Sequence, residues 1–208
     1  MSIINDISDA LQRGKKKEVT KLVQQAIDEG IDATTILKDG LLSGMNIIGE
    51  KFKNDEVFVP EVLVAARAMN AGTALLKPLL SGDAAEPLGK ACIGTVKGDM
   101  HDIGKNLVGL MLRNYGYKVI DLGKDVPAGT IIETALREKA SVVGLSALMT
   151  TTMMHMKDVI AEAADKQYGG KIIIGGAAVT PSFSDEIGAD GYSKDAADCV
   201  KLVSRLLS

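Results

Sequence analysis

The chain has 208 residues, room for one good core or two modest ones, and its 46% hydrophobic and 25% charged content is that of an ordinary globular protein, with nothing that suggests disorder. A formal net charge of −3 argues against a nucleic-acid partner, and the basic run at Arg13, Lys15, Lys16 and Lys17 reads as a solvated turn. No apolar stretch approaches the ~20 residues of a membrane span, and the early Asp6 and Asp9 fit no signal peptide, so a cytoplasmic protein with no membrane partner is expected.

The first part of the chain has helical periodicity and almost no strand signal. Apolar residues recur at three-to-four spacing over 3–11, 19–27, 36–52 and 62–80, with breaks at Gly14, at Gly30 to Asp32 and at Asn54 and Asp55. Four helices with short connections predict a small antiparallel bundle over residues 1–87. The small, polar and proline residues of 81–89 break the pattern as a linker would.

From Lys90 the rhythm changes. Short apolar runs at 91–96, 118–122, 141–145, 171–174 and 191–192 alternate with helical stretches at 103–115, 129–139, 152–168, 182–187 and 195–207. Fully apolar strands separated by helices predict an α/β unit over 88–208: a flavodoxin-like, Rossmann-like, doubly wound five-stranded parallel sheet. Cys92 in a strand and Cys199 in a helix read as buried thiols, which fits a reducing compartment.

In such a sheet, ligands bind beyond the carboxyl ends of the strands. Four loops of small or unusual residues gather there: Asp99 to Gly104 after the first strand, Ser146 to Thr152 after the third, Gly175, Gly176 and Ala177 after the fourth, and Gly191, Tyr192 and Ser193 at the fifth. Small residues let a flat or rod-like group approach the backbone, and hydroxyls offer hydrogen bonds without bulk. His101 is a potential metal ligand on the first loop, and Asp99, two residues away, can fix its tautomer. A zinc site would need three or four ligands, whereas the chain has two histidines and two cysteines, none in ligand spacing. One histidine suffices when the metal arrives in a macrocycle with an axial position open.

The run from Thr95 to Asn106, with its D-x-H-x-x-G core of Asp99, Met100, His101, Asp102, Ile103 and Gly104, closely resembles the cobalamin-binding signature of corrinoid proteins and of cobalamin-dependent methionine synthase. The resemblance implies that His101 replaces the cofactor's own base as the axial ligand of cobalt. It implies that Asp99 orients the ring and that Thr152, a serine in methionine synthase, completes a ligand triad. Ser146, Ala147 and Leu148 match the family's S-x-L, with Thr150 in the same loop. Gly175, Gly176 and Ala177 match the residues that line the channel for the nucleotide tail, and Gly191 and Tyr192 close its far end. Residues 1–87 resemble the helical cap over the upper corrin face, and 88–208 the cobalamin-binding domain. Met45, Phe52 and Val59 carry the cap motif, with Phe52 expected in an exposed loop.

The resemblance further implies a carrier, not a catalyst on its own. Cobalt would cycle between Co(I) and methyl-Co(III), and the chain holds no barrel of ~250 residues such as binds methyl donors and acceptors in this chemistry. The partners implied are a donor methyltransferase, an acceptor methyltransferase using tetrahydrofolate or coenzyme M, and a reductive activator. The metabolism implied is that of methylamines, methanol, betaine or O-demethylation. The alternative is a cobalamin-sensing regulatory module, which would carry a basic helix-turn-helix segment; none is evident.

Overall fold

A computed structural model describes residues 2–80 and 87–208, so residues 81–86 of the expected linker lie outside the described residues. The chain divides into two compact units, Met1–Pro87 and Leu88–Ser208.

The first unit contains α1 (Ile3–Gln12), α2 (Lys16–Asp28), α3 (Ala33–Thr35), a π-helical stretch (Ile36–Leu42), α4 (Ser43–Lys53) and α5 (Val59–Leu76). Gly14 makes the turn between the first two helices with φ +64°, and a Cβ there would lie 2.5 Å from Val64 Cγ2, so glycine alone permits both the bend and the approach of α5. Ile7, Leu11, Val19, Val23, Ile36, Leu41, Ile48, Val62 and Ala65 are almost wholly buried and form the inward faces of the helices.

The third helical segment starts at Ala33, three residues before the spacing predicts, because the Asp32 carboxylate caps it by accepting from Thr35 N at 3.0 Å. It winds as a π-helix over Ile36–Leu42 and continues without a break into α4. Helix α5 likewise starts early, at Val59 and not at 62. Glu61 accepts from Phe58 N at 3.1 Å, and Pro60 in the first turn has no N–H to leave unpaired.

The second unit alternates strand and helix: β1 (Lys90–Thr95), α6 (Ile103–Asn114), β2 (Lys118–Asp121), α7 (Ala128–Glu138), β3 (Val142–Ser146), α8 (Thr150–Met153), α9 (His155–Asp165), β4 (Lys171–Gly175), α10 (Pro181–Ile187), β5 (Gly191–Ser193) and α11 (Ala196–Leu207). The predicted helix 152–168 is two helices, α8 and α9, that meet at Met154. All five strands are parallel in the order β2-β1-β3-β4-β5, with Cys92 beside Val143 and Val143 beside Ile172.

One core cluster joins Cys92, Val143, Leu145, Ile172 and Ile174 of the strands to Ile131, Ile132, Met156 and Val159 of the helices. Across the sheet α6 packs on β1 and β2. Its Gly109 lies close to the sheet, since a Cβ would stand 2.7 Å from Ile93 Cδ1 and that side chain would have to shift. Both cysteines are buried, and burial pushes the Cys92 thiol up to about 11, so it is inert near neutral pH. Among the described residues no helix is long and apolar enough to cross a membrane.

The strand order decides where a ligand can sit. The chain leaves β1 toward β2 on one side, and leaves the adjacent β3 toward β4 on the other, so the loops after β1 and β3 part and leave a crevice at the sheet's carboxyl edge. Packing in the unit is tight enough to test. Ile131 is fully buried in the core cluster, and Ile131→Ala should destabilise this unit by about 2–5 kcal/mol, read as a lower urea midpoint. A loss below about 0.5 kcal/mol would mean that the site collapses around the missing atoms.

Candidate functional site

Strand β1 ends at Thr95, and the chain turns tightly, with Asp99 N donating to Val96 O at 3.1 Å. The turn carries Asp99 inside, where it has no exposed surface. A buried carboxylate is tolerated only when its lone pairs are used, and here all are. Oδ1 accepts from His101 N at 3.0 Å and from His101 Nδ1 at 2.8 Å. Oδ2 accepts from Leu148 N at 2.8 Å and from the Thr152 hydroxyl at 2.6 Å.

Burial by itself would raise the Asp99 pKa. The hydrogen bonds, led by that from Thr152 and followed by those from the His101 and Leu148 amides and the His101 ring, outweigh it and hold the carboxyl well below the usual carboxylate range. Asp99 is therefore ionised at neutral pH.

That charge state fixes the histidine. A carboxylate has no proton to give, so Nδ1 of His101 is the donor, and in the neutral ring Nε2 carries the lone pair. The ring is 52% exposed above its wholly buried anchor. The outcome is a metal-ready imidazole whose tautomer is set before any metal arrives. The second histidine, His155, is occupied on α9 by Asp158 at 2.8 Å.

Residues around His101 divide clearly. Met100, Ile103, Leu148 and Met149 are exposed apolar side chains on the same two loops, with Ile103 at 81%. A Cβ on Gly104 would meet nothing within 4 Å. Asp102 stands at the N-terminus of α6, accepting from Asn106 N through its carbonyl at 2.8 Å. Ser146 closes β3, and its carbonyl accepts from Val96 N at 3.1 Å; Thr150 opens α8 and is exposed.

At the end of β4, a Cβ on Gly175 would lie 2.9 Å from Ser193 O, and Gly176, at φ +117°, presses against the Ala147 carbonyl. The protein's own backbone thus demands both glycines. Ala177 beside them is exposed, while Gly191 and Tyr192 in β5 are half-buried. In the first unit Met45 is fully buried in α4, and Val59 is the first residue of α5, 37% exposed. Phe52 does not sit in an exposed loop. Helix α4 runs on to Lys53, so Phe52 is half-buried in its last turn, and the exposed phenylalanine is Phe58, at 64%.

Sequence reasoning missed the supports beneath the loop. The buried Thr95 hydroxyl donates to His101 O at 2.9 Å. Lys105, only 4% exposed, pairs with Asp121 at 2.5 Å, and Asp121 also accepts from Gly123 N at 2.9 Å. A lysine in the first turn of a helix gives no sequence signal that it is buried. Its partner, Asp121, comes from strand β2.

Among the described residues no three His, Cys, Asp or Glu side chains group to hold a bare metal ion. One oriented imidazole, an open space over Gly104 and four exposed apolar side chains do fit a metal that brings its own flat macrocycle. The carboxylate gives a pH test. The folded pKa of Asp99 is depressed below 3.8, so its stabilisation is present above that pH and is lost as pH falls toward the folded value. Asp99→Asn should lower the urea midpoint of the second unit at neutral pH. The gap to wild type should narrow below about pH 4, and a gap that stays constant there would contradict the ionised state.

Residues 89–201 match the B12 binding domain, and residues 3–77 match a second model of the same description. A corrinoid protein of Desulfitobacterium hafniense is 38% identical over 212 residues, which is 100% of this chain and 98% of that one. The dimethylamine corrinoid protein of Methanosarcina barkeri is 39% identical over 99% of this chain and 98% of its own length. A chain of the crystallised methanol:cobalamin methyltransferase complex of the same organism superposes with a TM-score of 0.84 at 33% identity, over 99% of this chain and 79% of that one. Similar along both units to proteins that share its full length, the chain belongs to the B12-binding corrinoid proteins.

Proposed function

We propose that this corrinoid protein is a methyl carrier, in which His101 Nε2 would hold the cobalt of the bound corrinoid. The observation that carries the reading is the exposed imidazole held in one tautomer by a fully buried, four-fold hydrogen-bonded carboxylate. When bound, the corrinoid supplies a cobalt nucleophile that takes a methyl group from one partner and yields it to another. The protein's residues manage the imidazole. Asp99 keeps the proton on Nδ1, so Nε2 would be free to hold the metal, and the carboxylate's negative charge would favour a proton on Nε2 of an unbound ring. Thr152 and Leu148 N keep Asp99 charged throughout.

Met100, Asp102, Ile103, Gly104, Ser146, Leu148 and Thr150 are assigned to the face that receives the macrocycle. Gly175, Gly176, Ala177, Gly191 and Tyr192 are assigned to the nucleotide tail on the motif they match. In the helical unit Phe52 and Val59 are assigned to shielding the upper face, whereas the fully buried Met45 serves the bundle core.

Relatives named for dimethylamine, and a solved complex named for methanol, support methylated amines or methanol as the first donors to test. The partners are then a donor methyltransferase, an acceptor methyltransferase that uses tetrahydrofolate or coenzyme M, and a reductive activator. None of these relatives supports the regulatory alternative.

Two measurements check the reading. In the Co(II) form, electron paramagnetic resonance should show hyperfine splitting from one protein nitrogen that changes when histidine carries nitrogen-15 and vanishes in His101→Ala; a spectrum indifferent to the label removes His101 from the role. Cobalamin-loaded protein should take up labelled methyl groups only with a donor methyltransferase present, because alone it cannot hold a donor over the metal. Multiple turnover by the chain alone would overturn the carrier.

A further inference from the structure

The loop between β2 and α7 holds a residue in a conformation that asks for an explanation. Asp125 has φ +55°, in the left-handed region that side chains other than those of glycine, asparagine and aspartate rarely enter. Its contacts show what the bend achieves. Asp125 Oδ1 accepts from Gly98 N at 2.7 Å, and Asp125 N donates to Asp99 O at 3.0 Å. One residue therefore grips the main chain on both sides of the Asp99 Cα. Gly98, at φ +80°, makes the complementary bend that presents its N–H.

The same loop is tied to β1 beside the grip. Val126 N donates to Thr95 O at 3.0 Å, Thr95 N donates to Gly123 O at 3.0 Å, and the Thr95 hydroxyl holds His101 O. Asp121, charged against the buried Lys105, accepts from Gly123 N. Asp125 is thus the outermost clasp of a network that fixes the backbone from 95 to 101 from below. Only two residue types satisfy both demands of the position. Aspartate and asparagine tolerate the left-handed bend and offer a side-chain acceptor to Gly98 N; glycine tolerates the bend but offers none.

We propose that Asp125 is a positioning residue for the axial ligand. By fixing the Gly98 and Asp99 peptides, it sets Asp99 Oδ1 beneath His101 Nδ1 and so aims Nε2. The proposal rests on His101 being the cobalt ligand. Geometry of this kind has to be held to a fraction of an ångström to matter, and a loop without the clasp would not hold it.

Asp125→Gly and Asp125→Asn separate the acceptor from the bend. In cofactor-free protein, amide exchange followed by nuclear magnetic resonance should be faster by about tenfold at Gly98 and His101 in Asp125→Gly, since a lost hydrogen bond of ordinary strength corresponds to that factor. Asp125→Asn should exchange as wild type, and the circular dichroism of all three should agree. In cobalamin-loaded Co(II) protein, the fraction of cobalt with a histidine nitrogen in its hyperfine pattern should fall several-fold in Asp125→Gly and be restored in Asp125→Asn.

His101 exchange unchanged in Asp125→Gly, a full ligated fraction in that variant, or Asp125→Asn as impaired as Asp125→Gly would each overturn the positioning role while leaving His101 as ligand. Wild-type protein without the histidine signal would instead overturn the ligand reading, and this proposal with it.

Discussion

A carboxylate with no exposed surface is the constraint from which the second unit's architecture follows. Leaving Asp99 buried without partners would cost several kcal/mol, so the fold must bring it donors. Two of the four come from its own loop, at His101, and two from Leu148 and Thr152 beyond the next strand in the sheet. That second pair exists only because β3 lies beside β1, in register from Ala91 with Val142 to Thr95 with Ser146. The strand order, the charge and the histidine tautomer are then one arrangement. A sheet with another strand beside β1 would leave Oδ2 unpaired.

Glycines at the sheet's carboxyl edge show that small residues there answer two different demands. Gly175 and Gly176 are required by close approach to Ser193 and Ala147, so their smallness is explained before any ligand is considered. Gly104 is different, because a side chain there would meet only open space within 4 Å. Beside exposed Met100 and Ile103, Gly104 is a glycine at this edge whose smallness neither close packing nor a left-handed backbone accounts for, whereas Gly123, equally open, has φ +85°. A run of small residues marks the edge where ligands bind without telling which of them serves the ligand.

Apolar strand runs, turn residues and the Asp99-to-Gly104 pattern made the α/β sheet and its central histidine legible, because each is a local signal. What escaped is non-local or depends on a cap. The early start of α3 turns on the Asp32 side chain, and that of α5 on Glu61 and Pro60. Phe52 was misplaced because the cap motif suggested an exposed loop, although the periodicity over 36–52 already carried it into the helix, which runs to Lys53 before Asn54 and Asp55 end it. Asp125 lies 27 residues from Gly98, and Thr152 lies 53 from Asp99. Periodicity does not report pairs so far apart. Thr152 was found only through a family pattern, and Asp125 lies outside that pattern.

Carrier chemistry explains why so much structure stands behind one imidazole. In the role proposed for His101, a charged Asp99 supports the imidazole by holding Nδ1–H, which leaves the lone pair of the neutral ring on Nε2. Thr152 and the Leu148 amide contribute by keeping that carboxylate ionised. The network beneath the loop fixes the backbone from 95 to 101 through the protein's own hydrogen bonds, so the place of the ring is set by the fold and not by a metal.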